Sequence, residues 1–218
     1  MTREYRQPVY RPPTGAMDLL LIRHGESAPA RPGERFPMKY GHGDPALHPN
    51  GEAQARVIAE RLQNERLDAV YVTPLRRTHQ TAAPLLQRLG ITPIEEPDLR
   101  EVHLGDWDDG EYRIRAANDD PAWLRALENH EWGEIPGAET TAALQARVGD
   151  ALFRMAARHA DQRVAAFVHG GVIGAALSLA TGARPFAFLG AANGSISRLV
   201  IHGTTMSLRS YNDCAHLE

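Results

Sequence analysis

The sequence predicts an α/β fold, a three-layer sandwich with a mostly parallel central sheet and helices on both faces. Two short apolar runs, residues 17–22 and 164–168, are each followed by a histidine and a glycine, which is typical of buried strands that end abruptly. Helical segments separate the predicted strands, so strand–helix–strand units and parallel pairing follow. In such sheets ligands bind at the carboxyl edge of the strands.

Composition favours a single α/β domain and excludes several functional classes. The chain has 218 residues, of which 43% are hydrophobic and 23% charged, with a net charge of −3. The lack of basic excess argues against a nucleic-acid partner, and no apolar run is long enough for a membrane span. One cysteine, Cys214, excludes an intramolecular disulfide and suits a reducing compartment, so we expect a cytoplasmic protein. Residues 1–16, polar and rich in proline, are predicted to form an N-terminal arm ahead of a domain over 17–218.

The first predicted strand leads directly into two residues suited to phosphate chemistry. Arg23 offers a planar fork of donors that matches phosphate oxygens. The neutral imidazole of His24 is a nucleophile able to attack phosphorus. Gly25 allows the backbone to approach an anion closely.

A long irregular segment, residues 28–49, follows this strand and leads into the first helix. Loops of this length are usually functional or disordered. Its basic residues are candidates for the far end of a substrate, although a solvated loop is the competing interpretation; they are Arg31, Arg35, Lys39 and His42. Asn50 is the predicted cap of a helix over 50–65, which precedes a second strand over 68–72.

The next helix starts with a local conflict. Thr73 and Pro74 are a natural N-cap and first helical residue, which places Arg76 and Arg77 in the first turn. The helix dipole disfavours cations there by about 0.3–1 kcal/mol each. An anion bound between the arginines and the free N–H groups would remove this conflict. Pro84 is expected to kink the helix or end it early.

The remaining elements follow from periodicity and turn residues. The predicted elements are a weak strand at 91–94, a helix starting at 120–121, a helix from 140 or 141 to about 159, a helix over 172–181 opened by Gly170 and Gly171, and a hairpin of 196–201 with 205–208.

Four separated stretches resemble the motifs of one family. Leu-Ile-Arg-His-Gly-Glu-Ser at 21–27 resembles the signature of the histidine phosphatase superfamily, the phosphoglycerate mutase-like proteins. Residues 73–82 resemble its Ser-x-Leu-x-Arg-Ala-x-x-Thr-Ala motif, and 98–107 resemble its Leu-x-Glu-x-x-x-Gly run. His169-Gly170-Gly171 resembles its second histidine motif. The resemblance spans about residues 17–217.

The resemblance implies a role for each motif residue and no cofactor or metal. His24 would be the nucleophile that forms phosphohistidine. Arg23, Arg77, His169 and Gly170 would bind the phosphate, with His169 acting best when protonated. Glu101 would protonate the leaving oxygen; without the family it reads as a surface carboxylate.

The function implied is that of a histidine acid-type phosphatase: a metal-independent hydrolase of a small phosphorylated metabolite. The alternatives are phosphoryl transfer of the mutase type and non-catalytic phosphate binding. Mutases of the family carry Trp-Asn where this chain has Ala28-Pro29, which favours hydrolysis. A metal site built from His42, His48 and His103 is disfavoured because these histidines lack helical spacing.

The identity of the phosphomonoester is left open by the sequence. The family carries an insertion over the pocket, here at about 108–138, and this insertion and the 28–49 loop should decide specificity. Arg113 and Arg115 in the insertion are candidates for substrate contact, with solvated side chains as the favoured interpretation. Oligomeric state is also open, with a homodimer as one option that related proteins use.

Overall fold

A six-stranded sheet forms the centre of the protein. The computed structural model describes residues 4–218. The strands are β1 Met17–Arg23, β2 Met38–Lys39, β3 His42–Gly43, β4 Ala69–Val72, β5 Ile94–Glu95, β6 Arg163–Val168, β7 Ile196–His202 and β8 Thr205–Asp213. The helices are α1 Pro49–Leu62, α2 Arg76–Leu89, α3 Glu111–Ala117, α4 Pro121–Asn129, α5 Thr141–Arg158 and α6 Gly170–Thr181.

The strand order in the sheet is β5-β4-β6-β1-β7-β8. Strands β5, β4, β6 and β1 are parallel, whereas β7 and β8 form an antiparallel hairpin at the other side. Strand β6 lies between β1 and β4, so the two strands joined through α1 are parallel but not hydrogen-bonded to each other. The predicted fold class is confirmed, with β2 and β3 pairing separately.

The three layers follow from the alternation of side chains along the buried strands. Leu20 and Ile22 of β1 pack in one core cluster with residues of α1 and α2. Leu19 and Leu21 face the opposite side, in a larger cluster with residues of α5 and α6. Because both faces of β1 are covered, its side chains form an apolar run rather than an alternating pattern.

Helix α1 starts one residue earlier than predicted and has a different cap. His48 is the N-cap, and its Nδ1 accepts a hydrogen bond from the backbone N–H of Asn50. The prediction that Asn50 caps the helix is therefore wrong. The helix also ends at Leu62, three residues short of the predicted end.

Helix α2 departs from its prediction at both its start and its middle. It begins at Arg76 and is capped from another segment, because Asp44 Oδ1 accepts a hydrogen bond from Arg76 N at 2.7 Å. The helix continues through Pro84 to Leu89 and ends at Gly90, which has a φ of 65°. One lost backbone hydrogen bond is offset by burial of the apolar face on both sides of the proline.

Residues 108–138 hold α3 and α4. Tyr112, Arg113 and Ile114 of α3 line the same cleft as Arg23 at the end of β1. Strand β8 is longer than predicted, and β5 is shifted towards residue 95. The N-terminal segment contacts β8 through Tyr10, whose ring centre lies 3.4 Å from the guanidinium of Arg209. Within residues 4–218, every helix is too short or too polar to cross a bilayer.

Candidate active site

The site is assembled where the two central parallel strands end. Arg23 of β1 is in register with Val168 of β6, and His24 N donates a hydrogen bond to Val168 O at 3.0 Å. His24 and His169 therefore follow their strands side by side, with ring centres 5.2 Å apart. Adjacent parallel strands thus place the two motif histidines at one sheet edge.

His24 is held in the tautomer that a nucleophile needs. Its Nδ1 lies 2.7 Å from the carbonyl oxygen of Gly25, which can only accept, so Nδ1 carries the proton and Nε2 keeps a free lone pair. Burial, reinforced by the charges of Arg77 and Arg23, holds the pKa of His24 well below its usual value of 6.5. The ring is therefore neutral at physiological pH. Asn193 also donates to His24 O at 2.9 Å.

Two buried arginines lie beside this imidazole. Arg77 is 6% exposed and donates from Nη1 to Gly43 O at 2.8 Å. Burial lowers its pKa to about 10, so it stays charged at neutral pH. Arg23 donates from Nη1 to Ala191 O, while its buried Nε has no hydrogen-bond partner among residues 4–218. Both guanidinium groups are anchored through one nitrogen and retain donors for an anion.

The pair Arg76 and Arg77 divides into two roles. Arg76 is half-exposed and lies against the Asp44 carboxylate, with 3.7 Å between Arg76 Nε and Asp44 Oδ2. Two arginines in the first turn of α2 oppose the helix dipole, and an anion there relieves this. Asp44 is that anion for Arg76, the exposed arginine of the two. Arg77 has no such partner and faces the cleft instead.

His169 is fully buried behind the cleft. Its Nε2 lies 2.9 Å from the hydroxyl of Thr73, and its Nδ1 has no partner among the described residues. Burial and the charge of Arg77 hold the pKa of His169 well below 6.5. The expectation that His169 acts best when protonated concerns the ring with phosphate bound, whose charge would raise this pKa, and it stays a prediction. A neutral ring that accepts from Thr73 at Nε2 still offers an N–H at Nδ1.

Glu101 is fixed at the start of α6. Its Oε1 accepts hydrogen bonds from Gly171 N and Val102 N, both at 3.0 Å. A side chain on Gly171 would put its Cβ 2.6 Å from this oxygen, so the contact requires glycine. A Cβ on Gly170 would lie 3.4 Å from the Arg23 guanidinium, an ordinary van der Waals distance, so this contact does not require glycine. Glu101 is half-buried and lines the same cleft as His24.

The backbone that carries Glu101 is clamped by Arg147 of α5. Arg147 donates to the carbonyl oxygens of Asp98, Arg100 and Glu101 at 2.8–2.9 Å and pairs with the carboxylate of Glu139. Sequence reasoning missed this residue. The available signal was its place beside Leu144 and Val148 on the apolar stripe of α5, where an arginine needs buried partners.

Most of the basic residues predicted to reach a substrate make contacts with protein groups instead. His42 is buried, and its ring nitrogens lie 3.0 Å from Tyr40 O and 3.1 Å from Glu101 O. The others also pair with protein groups: Arg31 with Glu34, Arg35 with Asp109, Lys39 with Pro74 O, and Arg115 with Glu111 and Asp120. None of these five side chains lines the cleft described next, as far as residues 4–218 show.

A cleft of about 770 Å³ opens above His24 and is also lined by Arg23, Arg77 and Glu101. Residues of the 28–49 loop and of 108–138 form much of its lining, as expected for segments that decide specificity. Arg113 of α3 lines it and donates to Ser27 Oγ at 2.7 Å and to Ala28 O at 2.8 Å. Arg113 is exposed, as the solvated interpretation expects, but these bonds hold its guanidinium at the cleft, and its contact with substrate stays a prediction. We call Arg23, His24, Arg77, His169 and Gly170 the phosphate floor.

Gly25 has a packing role that the sequence did not indicate. A Cβ at Gly25 would lie 2.5 Å from Gly51 O, and a Cβ at Gly51 would lie 2.0 Å from Glu26 O. The two glycines therefore let the start of α1 pack directly against the backbone that follows β1. This contact fixes the segment next to His24.

Sequence comparison identifies the family. The model of the histidine phosphatase superfamily (branch 1) matches residues 19–214. The chain belongs to this superfamily. Its motif residues occur at the sheet edge described above.

Similar members of the superfamily include enzymes with two kinds of name. The chain is 31% identical over 207 residues to phosphoglycerate mutase-like protein 4 of Arabidopsis thaliana, covering 92% of this chain and 87% of that one. It is 31% identical over 204 residues to a metal-independent phosphoserine phosphatase of the same plant, covering 92% and 83%. A mycobacterial glucosyl-3-phosphoglycerate phosphatase solved with VO3 superposes with a TM-score of 0.75 at 28% identity, covering 89% and 98%.

Membership and these phosphatase relatives make the chain an enzyme that hydrolyses phosphomonoesters. Among residues 4–218, no three His, Cys, Asp or Glu side chains come together in an arrangement suited to a metal ion. His42 and His103 are in edge contact, with ring centres 5.3 Å apart, whereas His48 caps α1.

Proposed function

We propose that this enzyme hydrolyses small phosphomonoesters through a phosphohistidine formed on His24. The observation that carries the proposal is the state of His24: a buried, neutral ring with Nδ1–H bound to Gly25 O and Nε2 free, beside two buried guanidinium groups. This arrangement supplies a nucleophile and a cationic environment for the phosphoryl group in one place.

In the first step, His24 Nε2 attacks phosphorus and the bond from phosphorus to the ester oxygen breaks. The ring becomes cationic as the N–P bond forms, and the hydrogen bond from Nδ1 to Gly25 O stabilises that charge. Arg23, Arg77 and the Nδ1–H of His169 bind the equatorial oxygens, whose charge changes in the transition state. Glu101, as the carboxylic acid, transfers its proton to the departing alkoxide.

In the second step, the Glu101 carboxylate takes a proton from a water molecule that attacks the phosphohistidine. The new O–P bond forms, the N–P bond breaks, and His24 returns to its neutral form. The clamp of Arg147 on the Glu101 backbone keeps the carboxylate in place through both steps.

Hydrolysis of a small metabolite is favoured over mutase chemistry and over simple phosphate binding. Relatives named as phosphatases are similar to this chain over most of its length. The five side chains that the motifs require are all present, so the site is complete for chemistry; they are Arg23, His24, Arg77, Glu101 and His169. The open cleft admits water to the phosphohistidine, whereas a mutase must keep it dry.

The proposal extends to organisation and location. We place a single catalytic domain at 17–218, with an arm at 1–16 and an insertion at about 108–138 that contributes to the cleft wall. A single cysteine, half-buried Cys214, is compatible with a reducing cytoplasm.

The decisive experiment is hydrolysis of p-nitrophenyl phosphate in excess EDTA by the wild-type enzyme and by His24→Ala. We expect metal-independent turnover in the wild type and a loss of roughly 10⁴-fold or more in the variant, as for other enzymes that lose a nucleophile. Rapid quenching at high pH should trap an acid-labile phosphoenzyme in the wild type. Equal turnover in His24→Ala would contradict the proposal.

A further inference from the structure

The cleft is much larger than a phosphoryl group and a short metabolite require. Its volume of about 770 Å³ falls in the range of pockets that enclose drug-sized ligands, roughly 300–1,000 Å³. The charged groups of the phosphate floor occupy only its inner end. The remaining volume must therefore accept the alcohol part of the substrate.

The lining of this outer volume contains both polar and apolar side chains. Its polar side chains Glu26, Ser27, Asp108 and Asn118 already make hydrogen bonds to protein groups, whereas its apolar side chains are available to pack on a substrate. We call its large apolar side chains the apolar wall; they are Phe36, Trp107, Tyr112, Ile114, Trp132 and Leu189. Pro29, Pro32 and Pro45 extend the same surface. A substrate whose alcohol part is a chain of hydroxyl or carboxylate groups would lose hydration against these residues without gaining hydrogen bonds.

The apolar wall is preformed. Tyr112 packs edge-on against Trp123 at 5.3 Å between ring centres, and Trp132 packs against Phe186 at 4.7 Å. Burial raises the pKa of Tyr112, so its hydroxyl stays neutral. Aromatic clusters of this kind hold their shape without a ligand and so reduce the ordering cost of binding.

We propose that the preferred substrates are monoesters of a bulky, mainly apolar alcohol. The inference rests on the proposed phosphatase function and specifies its leaving group. Its competitor is a substrate with a second anionic group bound by Arg113. That guanidinium already donates to Ser27 Oγ and Ala28 O and lies 5.3 Å from the ring centre of Phe36. It is thus positioned as part of the rim, near the opposing charge of Glu26.

The test uses ethyl, butyl, hexyl and 3-phenylpropyl phosphate, with phosphoserine as the anionic competitor. These alkyl esters release similar primary alkoxides, so differences in kcat/KM report binding of the alcohol part. Complete burial of one methylene is worth about 0.8 kcal/mol, or roughly fourfold in kcat/KM. We expect kcat/KM to rise at least tenfold from ethyl to hexyl and to exceed the value for phosphoserine.

Two variants remove part of the apolar wall, and one matched variant does not. Ile114→Ser and Leu189→Ser should reduce kcat/KM for hexyl phosphate about three- to tenfold, and the reduction should be larger for hexyl than for ethyl phosphate. Leu124→Ser changes an exposed leucine on α4 that does not line the cleft, and it should alter neither value.

The outcomes separate this inference from the function on which it rests. Hydrolysis of p-nitrophenyl phosphate with no chain-length dependence, or with phosphoserine as the better substrate, overturns the inference and leaves the phosphatase intact. Failure to hydrolyse any ester, p-nitrophenyl phosphate included, contradicts the proposed function itself.

Discussion

The phosphate floor and the apolar wall are built in opposite ways. The floor comes from the ends of the two central strands and the starts of α2 and α6, and its groups are fixed by backbone hydrogen bonds. The wall comes from several segments outside the sheet: Phe36 from the 28–49 loop, Tyr112 and Ile114 from α3, and Trp107, Trp132 and Leu189 from other connections. The sheet edge carries the chemistry, and the segments around it contact the part of the substrate that varies. Such a division lets specificity change without disturbing the reacting groups.

The largest expected effect separates two neighbouring arginines. Arg77→Met removes a buried cation of the phosphate floor and should lower kcat/KM for p-nitrophenyl phosphate by about 10²–10³-fold. Arg76→Met removes the adjacent exposed cation, which pairs with Asp44 outside the cleft, and should change it less than fivefold. Steady-state kinetics at pH 7 measures both. Equal losses of kcat/KM in the two variants would mean that Arg76 also belongs to the phosphate floor.

The next effect tests whether the Glu101 clamp belongs to the chemistry. Arg147→Met should lower kcat/KM for hexyl phosphate by about 10²-fold, because its poor leaving group needs the acid in the first step. The same variant should change kcat/KM for p-nitrophenyl phosphate less than threefold, because that leaving group departs without a proton. The value of kcat should fall for both esters where hydrolysis of the phosphohistidine, which also uses Glu101, limits turnover.

Arg154→Met is the matched control on the same helix. Arg154 pairs with Glu96 and Asp98 in exposed salt bridges, so its loss should affect both esters equally and slightly. An equal loss of kcat/KM for both esters in Arg147→Met would mean that Arg147 only stabilises the fold. Arg147→Lys, which keeps the charge but loses the fork, should restore less than half of the selective loss.

The smallest effect concerns pH. Because burial and the nearby arginines lower the pKa of His24, the ring stays neutral as pH falls through 6.5, and protonation sets in only at more acidic pH. Spectra of protein labelled with ¹³C at histidine Cε1, assigned with His24→Asn, should show a His24 signal that does not titrate between pH 8 and 6. Ile114→Ser in the apolar wall should leave this behaviour unchanged. A titration midpoint of His24 near pH 6.5 would contradict the conclusion that burial lowers its pKa.

Much of the fold was predictable because the strands are continuous apolar runs bounded by glycine and histidine. Strands β1 and β6, helix α5 and the terminal hairpin lie close to their predicted ranges. The motif residues were identified from the resemblance, and the structure gathers them at one edge. Caps were the weakest predictions, because Asp44 and His48 act through contacts that propensities do not encode.

The parts of the site that the sequence did not reveal depend on tertiary contacts. Thr73 was read as a helix cap, yet its hydroxyl faces His169, which is 96 residues away in the chain. Arg147 and Glu139 look like surface charges until α5 packs against the backbone at 98–101. The place of Arg147 beside the apolar stripe of α5 signals that it needs partners, but a local pattern cannot say which groups they are.

The pairing of β1 with β6 ties activity to the most protected part of the molecule. Residues 18–23 are in continuous register with 163–168, and a slip of one position would shift one histidine by about 3.3 Å and turn it to the other face. These strands lie at the centre of the sheet, whereas α3 buries none of its own residues, so we expect α3 to open at a lower free energy than the strands separate. Turnover of a small ester should therefore persist through local opening at α3 and be lost only with cooperative unfolding of the core.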